Sequence, residues 1–479
     1  MTRTDVSGHD RVADWSAVHV VVAGVGVAGF AAADHLVHLG ARVTVIDAAD
    51  GVRQRERADV LEVIGVTVRL GDGDTLPDDA DLLVVSPGLP PTAPVTLAAL
   101  GLGVPVWGEL ELAWRLRGEN PAPWLVVTGT NGKTTTTLML ESILRAAGHR
   151  TAAVGNIGVS LVDAVMDPTG FDVLAVEVGA PQLPFLHTAS PLASVCLNLA
   201  PDHVDLFGSF DAYRDAKARI YHLTQVAAVY NTADAETLRM VEDADVVEGC
   251  RAVGFTLGVP GLSMVGVVDD LLVDRAFVAN RADNAQELAS VHDVRPFAPH
   301  NVANALAAAA LARAYGVAPA DVREGLRAFE PAGHRIADVA TVGGVRFVDD
   351  SKATNGHAAL TSLLAYESVV WIAGGLAKGQ EFDDLVRRAH PRLRGVVLLG
   401  VDRGRIREAL VRHAPQVTVI EVDRTDTGAM DDVVRAAAGM ARPGDTVLLA
   451  PGCASWDMFA DYAHRGDEFA DAVRRLGTQ

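Results

Sequence analysis

The sequence predicts an α/β fold in which parallel sheets are flanked by helices, and three observations predict it. Strand-like and helix-like segments alternate along the chain, two glycine-rich turns each join a strand to a helix, and apolar runs repeatedly end in charged or hydroxyl residues. At 479 residues the chain has room for roughly three domains of about 150 residues each.

Three β-then-α blocks can be read in order. The first opens with a strand at His19–Ala23, a glycine turn, a helix at 31–39 and a strand at 42–46 that ends at Asp47. A further strand, Leu82–Val85, runs into Ser86-Pro87-Gly88, and Pro90, Pro91 and Pro94 mark irregular chain beyond it. The second block has strands at 124–127, 173–178 and 193–197, with helices at 134–147, 213–222 and 301–315, and a turn-rich stretch at 249–280. The third has strands at 345–348, 369–373, 396–399, 417–420 and 446–449. Loop-like or Pro-containing segments at 111–123 and 329–333 are the candidate boundaries, which divides the chain into 1–111, 112–331 and 332–479.

Composition excludes several classes of function. Lys and Arg total 41 against 61 Asp and Glu, a formal charge of −20. Nucleic-acid backbones need clustered cations, so no nucleic-acid partner is expected. Anionic substrates must be held by local devices such as backbone amides, a few lysines and metal. Cys196, Cys250 and Cys453 are widely spaced and odd in number, which gives no disulfide framework and fits a reducing, cytoplasmic setting. Residues 1–15 are polar and lack the apolar run of a signal peptide. The longest apolar stretch, 18–33, is interrupted by Gly24, Gly26 and Gly29 and is too short to span a bilayer, so no membrane insertion is expected.

The chemistry concentrates at the strand ends. Gly129-Thr130-Asn131-Gly132-Lys133-Thr134-Thr135 lies between a strand and a helix. Glycines there let backbone amides approach phosphate oxygens, the helix terminus adds a positive dipole end, Lys133 would reach the β- and γ-phosphates, and Thr134 would ligate Mg²⁺. The general pattern wants glycine at position 127, where Val127 stands, so a structural turn is the alternative. Gly24-x-Gly26-x-x-Gly29, with Asp47 ending the next strand, has the form of a dinucleotide fingerprint, against which stands a tight βα turn with no ligand.

Glu177 ends an apolar strand, where open α/β sheets place ligands. His203 lies in a polar loop, and Lys217 is on a helix that Arg214 and Arg219 make look like a solvated face. Asp349-Asp350-Ser351-Lys352-Ala353-Thr354-Asn355 follows another strand and suits phosphate and carboxylate contacts, or helix capping.

Taken together these residues resemble the Mur ligase family, closest to its D-glutamate-adding members. The phosphate loop, Gly155-Asn156-Ile157-Gly158, Glu177, Asp202-His203, Lys217, His300-Asn301, His334-Arg335, the run at 350–355, the glycine-rich 374–379 and the run at 453–466 occur in family order over nearly the whole chain. The resemblance implies a Rossmann-like N-terminal domain, a central phosphate-loop ATPase-like sheet and a Rossmann-like C-terminal domain. It implies a monomer that uses ATP, two Mg²⁺ sites, a UDP-sugar acceptor and an amino acid, and that makes an amide through an acyl phosphate. Gly26, Val27, Ala28, Asp47, Ser86, Gly88, Asn156, Gly179 and Gln182 would face the acceptor. Thr134, Glu177, His203 and a carbamylated Lys217 would serve the metal ions. Asn301, Asn304, Arg335 and Asp350 would border the nucleotide, and Lys352, Thr354, Lys378, Ser455 and Tyr462 the amino acid.

One stretch departs from the family. Where the D-glutamate-adding members usually read E-L-S-S-F/Y-Q-L, this chain has Glu177-Val178-Gly179-Ala180-Pro181-Gln182-Leu183, and Ala28 replaces a frequent hydroxyl residue. A site loses discrimination when it loses hydrogen-bonding groups, so a specialised member with another acceptor or amino acid is the alternative. A non-catalytic nucleotide-binding protein conflicts with the retained Lys133, Glu177, His203 and Lys217. A nicotinamide-dependent enzyme would leave the loop at 129–135 unexplained.

Overall fold

The computed structural model describes residues 3–202, 204–331 and 333–477. Among them the strands form three sheets, one for each β-then-α block. The chain divides into two compact units, Met1–Arg295 with Asn301–Phe329, and Pro296–His300 with Glu330–Gln479. The first two sheets therefore share one unit.

The first sheet has five parallel strands in the spatial order Thr67–Leu70, Arg42–Asp47, His19–Ala23, Leu82–Val85, Val106–Gly108. The strands His19–Ala23 and Leu82–Val85 are buried along their whole length, which is why they read as unbroken apolar runs. Sequence order reverses beside His19–Ala23, so a crevice for ligands opens at that strand's carboxyl end. The following helix is Val27–His38 and begins earlier than expected, because the turn residues themselves enter the first helical turn.

The central sheet has nine strands, ordered Gln286–Ser290, Leu271–Asp274, Met264–Val268, Arg251–Phe255, Ala227–Asn231, Ala193–Cys196, Trp124–Thr128, Val173–Glu177, Thr151–Gly155. All pairings are parallel except the two that join the Leu271–Asp274 strand to its neighbours. The stretch 249–280, expected to be turn-rich, therefore contributes three strands. Its glycines are not only turn formers: at Gly266 a Cβ would lie 2.5 Å from the Gly258 carbonyl oxygen, so the residue permits close packing inside a strand. The helices Lys133–Ala146, Pro299–Tyr315 and Pro319–Ala328 cover one face of the sheet. The alanine-rich Pro299–Tyr315 helix is buried along most of its length, and Pro319–Ala328 packs on Lys133–Ala146 where Gly325 allows backbone contact with Ile143.

The third sheet has the order Ala337–Val342, Val345–Asp349, Thr446–Leu449, Val369–Gly374, Leu393–Leu399, Thr418–Glu421, parallel apart from the first hairpin. No described helix is long and apolar enough to cross a membrane.

Candidate active site

In the central sheet, Thr128 ends its strand and the chain turns through Gly129 and Gly132 into the Lys133–Ala146 helix. Gly132 has φ +84°, the left-handed region that glycine occupies at no steric cost. A Cβ there would also stand 2.5 Å from Asn304 Oδ1, so Asn304 lies against the loop, and its amide donates to Asn301 Oδ1 at 3.3 Å. Asn198 clamps the loop from the neighbouring strand end. Its Oδ1 accepts from the Asn131 amide at 2.9 Å, its Nδ2 donates to the Asn131 carbonyl at 3.0 Å, and its own carbonyl accepts from Thr130 N at 3.0 Å. Thr130 Oγ1 accepts from Ala200 N at 3.0 Å and stands 3.1 Å from the Tyr213 hydroxyl. Thr134 and Thr135 follow in the first helical turn, Thr134 half-buried and Thr135 buried.

Two lysines converge on this loop. Lys133 Nζ donates to the carbonyls of Gly129 at 2.9 Å and Thr130 at 3.0 Å. Lys217 Nζ donates to the Gly129 carbonyl at 2.9 Å and to Thr128 Oγ1 at 3.2 Å, while that hydroxyl donates to Val178 O at 2.8 Å. The helix expected at 213–222 is Phe210–Ala218, capped by Ser209 and continued by a tighter turn at Arg219–Tyr221. Its solvated face is real for Arg214, which pairs with Asp211. Lys217 corrects that reading: it sits four residues beyond Tyr213 on the inner face, and both are buried. Burial, followed by the Lys133 charge, pushes the Lys217 amine down to about 7.

Glu177 is 2% exposed. Its Oε1 accepts from Asn156 Nδ2 at 3.0 Å, and its Oε2 is buried with no hydrogen-bond partner among the described residues. An uncompensated buried carboxylate oxygen is costly, which leaves an opening for a cation. The Gly179 amide donates to Gln182 Oε1 at 2.8 Å, and a Cβ on Gly179 would meet Gln182 Oε1 at 3.3 Å and the Asn156 side chain at 3.5 Å. The structure thus gathers Asn156, Glu177, Gly179 and Gln182 into one patch. His203 lies outside the described residues.

In the first sheet, Asp47 Oδ2 accepts from Val25 N and Oδ1 from Ala49 N, both at 2.8 Å. Ser86 Oγ donates to Gly24 O at 3.1 Å. Gly26, Val27 and Gly88 are exposed beside half-buried Ala28, Asp47 and Ser86, so the turn presents free surface at the crevice.

The second unit holds the remaining candidates. Asp350 is buried and accepts from the Ser362 hydroxyl; burial pushes its carboxyl up to about 7, with the Arg335 guanidinium opposing. Lys352 Nζ stands 3.7 Å over the Tyr462 ring and Lys378 Nζ 4.2 Å over the exposed Trp456 ring. The Thr354 amide donates to Lys352 O at 2.8 Å, and buried Ser455 begins the turn that leads to Phe459.

Sequence reasoning missed Thr128, Asn198 and Arg465 as supports of these sites. Arg465 is 1% exposed, and its guanidinium donates to Ser351 Oγ at 2.9 Å, Ser351 O at 2.8 Å and Cys453 O at 3.1 Å. Asn198 carried a usable signal, a polar amide directly after an apolar strand beside the phosphate loop.

A glycine loop from a strand's carboxyl end to a helix amino terminus, with lysines around it, defines the phosphate-loop class of α/β proteins. Family patterns refine that. The Mur ligase MurD-like N-terminal domain matches residues 18–108, the Mur ligase middle domain residues 127–312, and the Mur ligase glutamate ligase domain residues 334–453. The chain belongs to the Mur ligase family. It is 63% identical over 467 residues to the UDP-N-acetylmuramoylalanine–D-glutamate ligase of Streptomyces coelicolor, covering 97% of this chain and 99% of that protein. The corresponding ligase of Thermobifida fusca is 55% identical, over 95% and 98% of the two chains. Among solved structures, a pseudomurein peptide ligase type C from Methanothermus fervidus superposes with a TM-score of 0.57 at 18% identity, covering 96% of this chain and 100% of that one. MurF from Acinetobacter baumannii gives 0.58 at 19%, covering 90% of each. These two establish the shared three-domain fold.

Proposed function

We propose that the chain is an ATP-dependent ligase that joins D-glutamate to UDP-N-acetylmuramoyl-L-alanine in peptidoglycan synthesis, in the cytoplasm. The observation that carries this reading is the 63% identity, extending over nearly the full length of both chains, to a ligase named for that reaction. We assign residues 1–111 to the UDP-sugar acceptor, 112–331 to ATP and 332–479 to the amino acid.

The acceptor carboxylate attacks the γ-phosphorus of ATP, a new P–O bond forms as the bond to ADP breaks, and the acyl phosphate is then attacked by the amine with release of phosphate. Such a transfer needs in-line positioning and charge neutralisation more than covalent help. The amides of 129–135 and Lys133 supply both, Asn301, Asn304, Arg335 and Asp350 border the nucleotide, and Asn156, Gly179 and Gln182 orient the acceptor. Lys352, Thr354, Lys378, Ser455 and Tyr462 surround the amino acid.

The oxygen-rich set fits Mg²⁺, because the partnerless buried Oε2 of Glu177 calls for a cation and Thr134 offers a hydroxyl. When bound, the ion neutralises charge on the phosphates. Lys217 would join His203 at a second ion if carbamylated, since CO₂ adds to a neutral amine and makes an anionic oxygen donor. The test is phosphate release that requires ATP, Mg²⁺, the acceptor and D-glutamate together. Turnover only with another acceptor or amine would instead establish the specialised reading that Gly179, Ala180 and Pro181 raise.

A further inference from the structure

At the opposite end of the central strands from the phosphate loop, a cavity of about 170 Å³ opens between segments 117–122 and 164–171, with Arg11 beside it. Those segments lead into the amino ends of the strands Trp124–Thr128 and Val173–Glu177. Strands rise about 3.3 Å per residue, so five residues separate this cavity from the phosphate loop by about 15 Å, and none of the site residues assigned above to the three substrates lines it.

Two arginines line it. Arg11 and Arg117 approach it from different parts of the chain, and a Cβ on Gly118 would lie 3.7 Å from Arg11 Nη1. The Arg117 guanidinium lies over Trp114, its Cζ 3.0 Å from the ring centroid, with Nε donating to Trp114 O at 2.8 Å. Among the described residues neither arginine has a carboxylate within ion-pair distance. The carboxylate that lines the cavity, Asp167, is held by Arg150 at 3.1 Å and by the Thr169 amide at 2.7 Å. Burial alone draws the Arg117 guanidinium down to about 10, with no neighbouring acid to oppose it. In a chain with 61 acidic and 41 basic residues, unpaired arginines facing one cavity are not a consequence of composition. Ala122, Val165 and Phe171 supply apolar wall.

We propose that this cavity binds a small oxyanion carrying a flat apolar group, an aryl phosphate or aryl carboxylate, gripped by Arg11 and Arg117. Forked guanidinium donors match either oxyanion, and the apolar wall takes the ring. The cavity is below the roughly 300–1,000 Å³ of pockets for drug-sized ligands, which limits the ligand to a small molecule. Its walls come from the N-terminal segment, the connector between the first two sheets and the central domain. A bound ligand therefore ties the three together and stabilises the folded unit by mass action.

The test titrates the full chain with phenyl phosphate and, separately, with benzoate, in a Lys133→Ala background that weakens anion binding at the phosphate loop. Trp114 lies under Arg117, so tryptophan fluorescence reports occupancy, and the rise in Tm reports it independently. The expected result is saturable binding of at least one probe, weakened about tenfold or more by Arg11→Gln and by Arg117→Gln, with phenol inert. Binding by one probe alone tells phosphate from carboxylate recognition. Arg11 sits on a surface segment, so Arg11→Gln keeps the test decisive if Arg117→Gln disturbs the tryptophans. No saturation up to about 10 mM of either probe, or an unchanged response in Arg11→Gln, overturns the proposal.

Discussion

Lys217 Nζ and Lys133 Nζ donate to the same acceptor, the Gly129 carbonyl oxygen, each at 2.9 Å. Burial disfavours the charged form of the inner amine, and a like charge on the same oxygen disfavours it further. The Lys217 amine falls to about 7. It is thus neutral over much of the range in which CO₂ is available to react. The expected outcome is a carbamate on Lys217, seen as a ¹³C resonance after exposure to ¹³CO₂ at pH 8 and absent in Lys217→Ala. That variant is expected to lose about 10²- to 10³-fold in kcat, the scale of removing one charge-stabilising group. An unmodified Lys217 with full activity would dismiss the role.

Asn198 gives a second expectation. Its side chain satisfies both the amide and the carbonyl of Asn131, so Asn198→Ala leaves two loop groups to find other partners. Stranding such groups costs about 1–3 kcal/mol, or roughly 5- to 150-fold in affinity. The KM for ATP should rise by that factor while the KM for the amino acid stays near wild type, as steady-state kinetics would show.

Gly179 gives a third. A serine there would place Cβ 3.3 Å from Gln182 Oε1, a contact that a small movement of a side-chain terminus relieves. Gly179→Ser should therefore fold with Tm within a few degrees of wild type, and it should change the KM for the acceptor without changing that for ATP. An unchanged acceptor KM would remove Gly179 from acceptor recognition.

The legibility of these features in the sequence follows from how local their causes are. Strands such as His19–Ala23 and Leu82–Val85 were readable to the residue, because burial on both faces writes itself as an unbroken apolar run. The phosphate loop was readable because backbone geometry demands glycine at a fixed place. The strands within 251–274 were not, since Gly254 and Gly266 serve close contacts between strands that punctuation rules read as turns. Lys217 looked solvated because its neighbour Arg214 is, and only the packing of Tyr213 onto Thr130 reveals which helix face is inner. Arg465 acts on the Ser351 carbonyl 114 residues away, and no local pattern records such a distance.

The last expectation concerns pH and the second unit. His334 Nδ1 lies 2.7 Å from Asp349 Oδ2, and the hydrogen bond to Asp349 holds the His334 imidazole above its usual value against partial burial. A histidine whose folded pKa exceeds its unfolded one binds its proton more tightly when folded. Its stabilisation is fully present below about 6.5, the unfolded value, and is lost as pH rises through the folded value. The difference in denaturation midpoint between wild type and His334→Gln should therefore shrink as pH is raised from 6 upward. Gly466→Ala supplies the control: its Cβ would fall 2.1 Å from His334 Nδ1 and 2.6 Å from Asp349 Oδ2, so the pair must separate. In that variant the His334 resonances should titrate at a lower pH than in wild type, and an unchanged titration would show that Asp349 does not hold the proton in place.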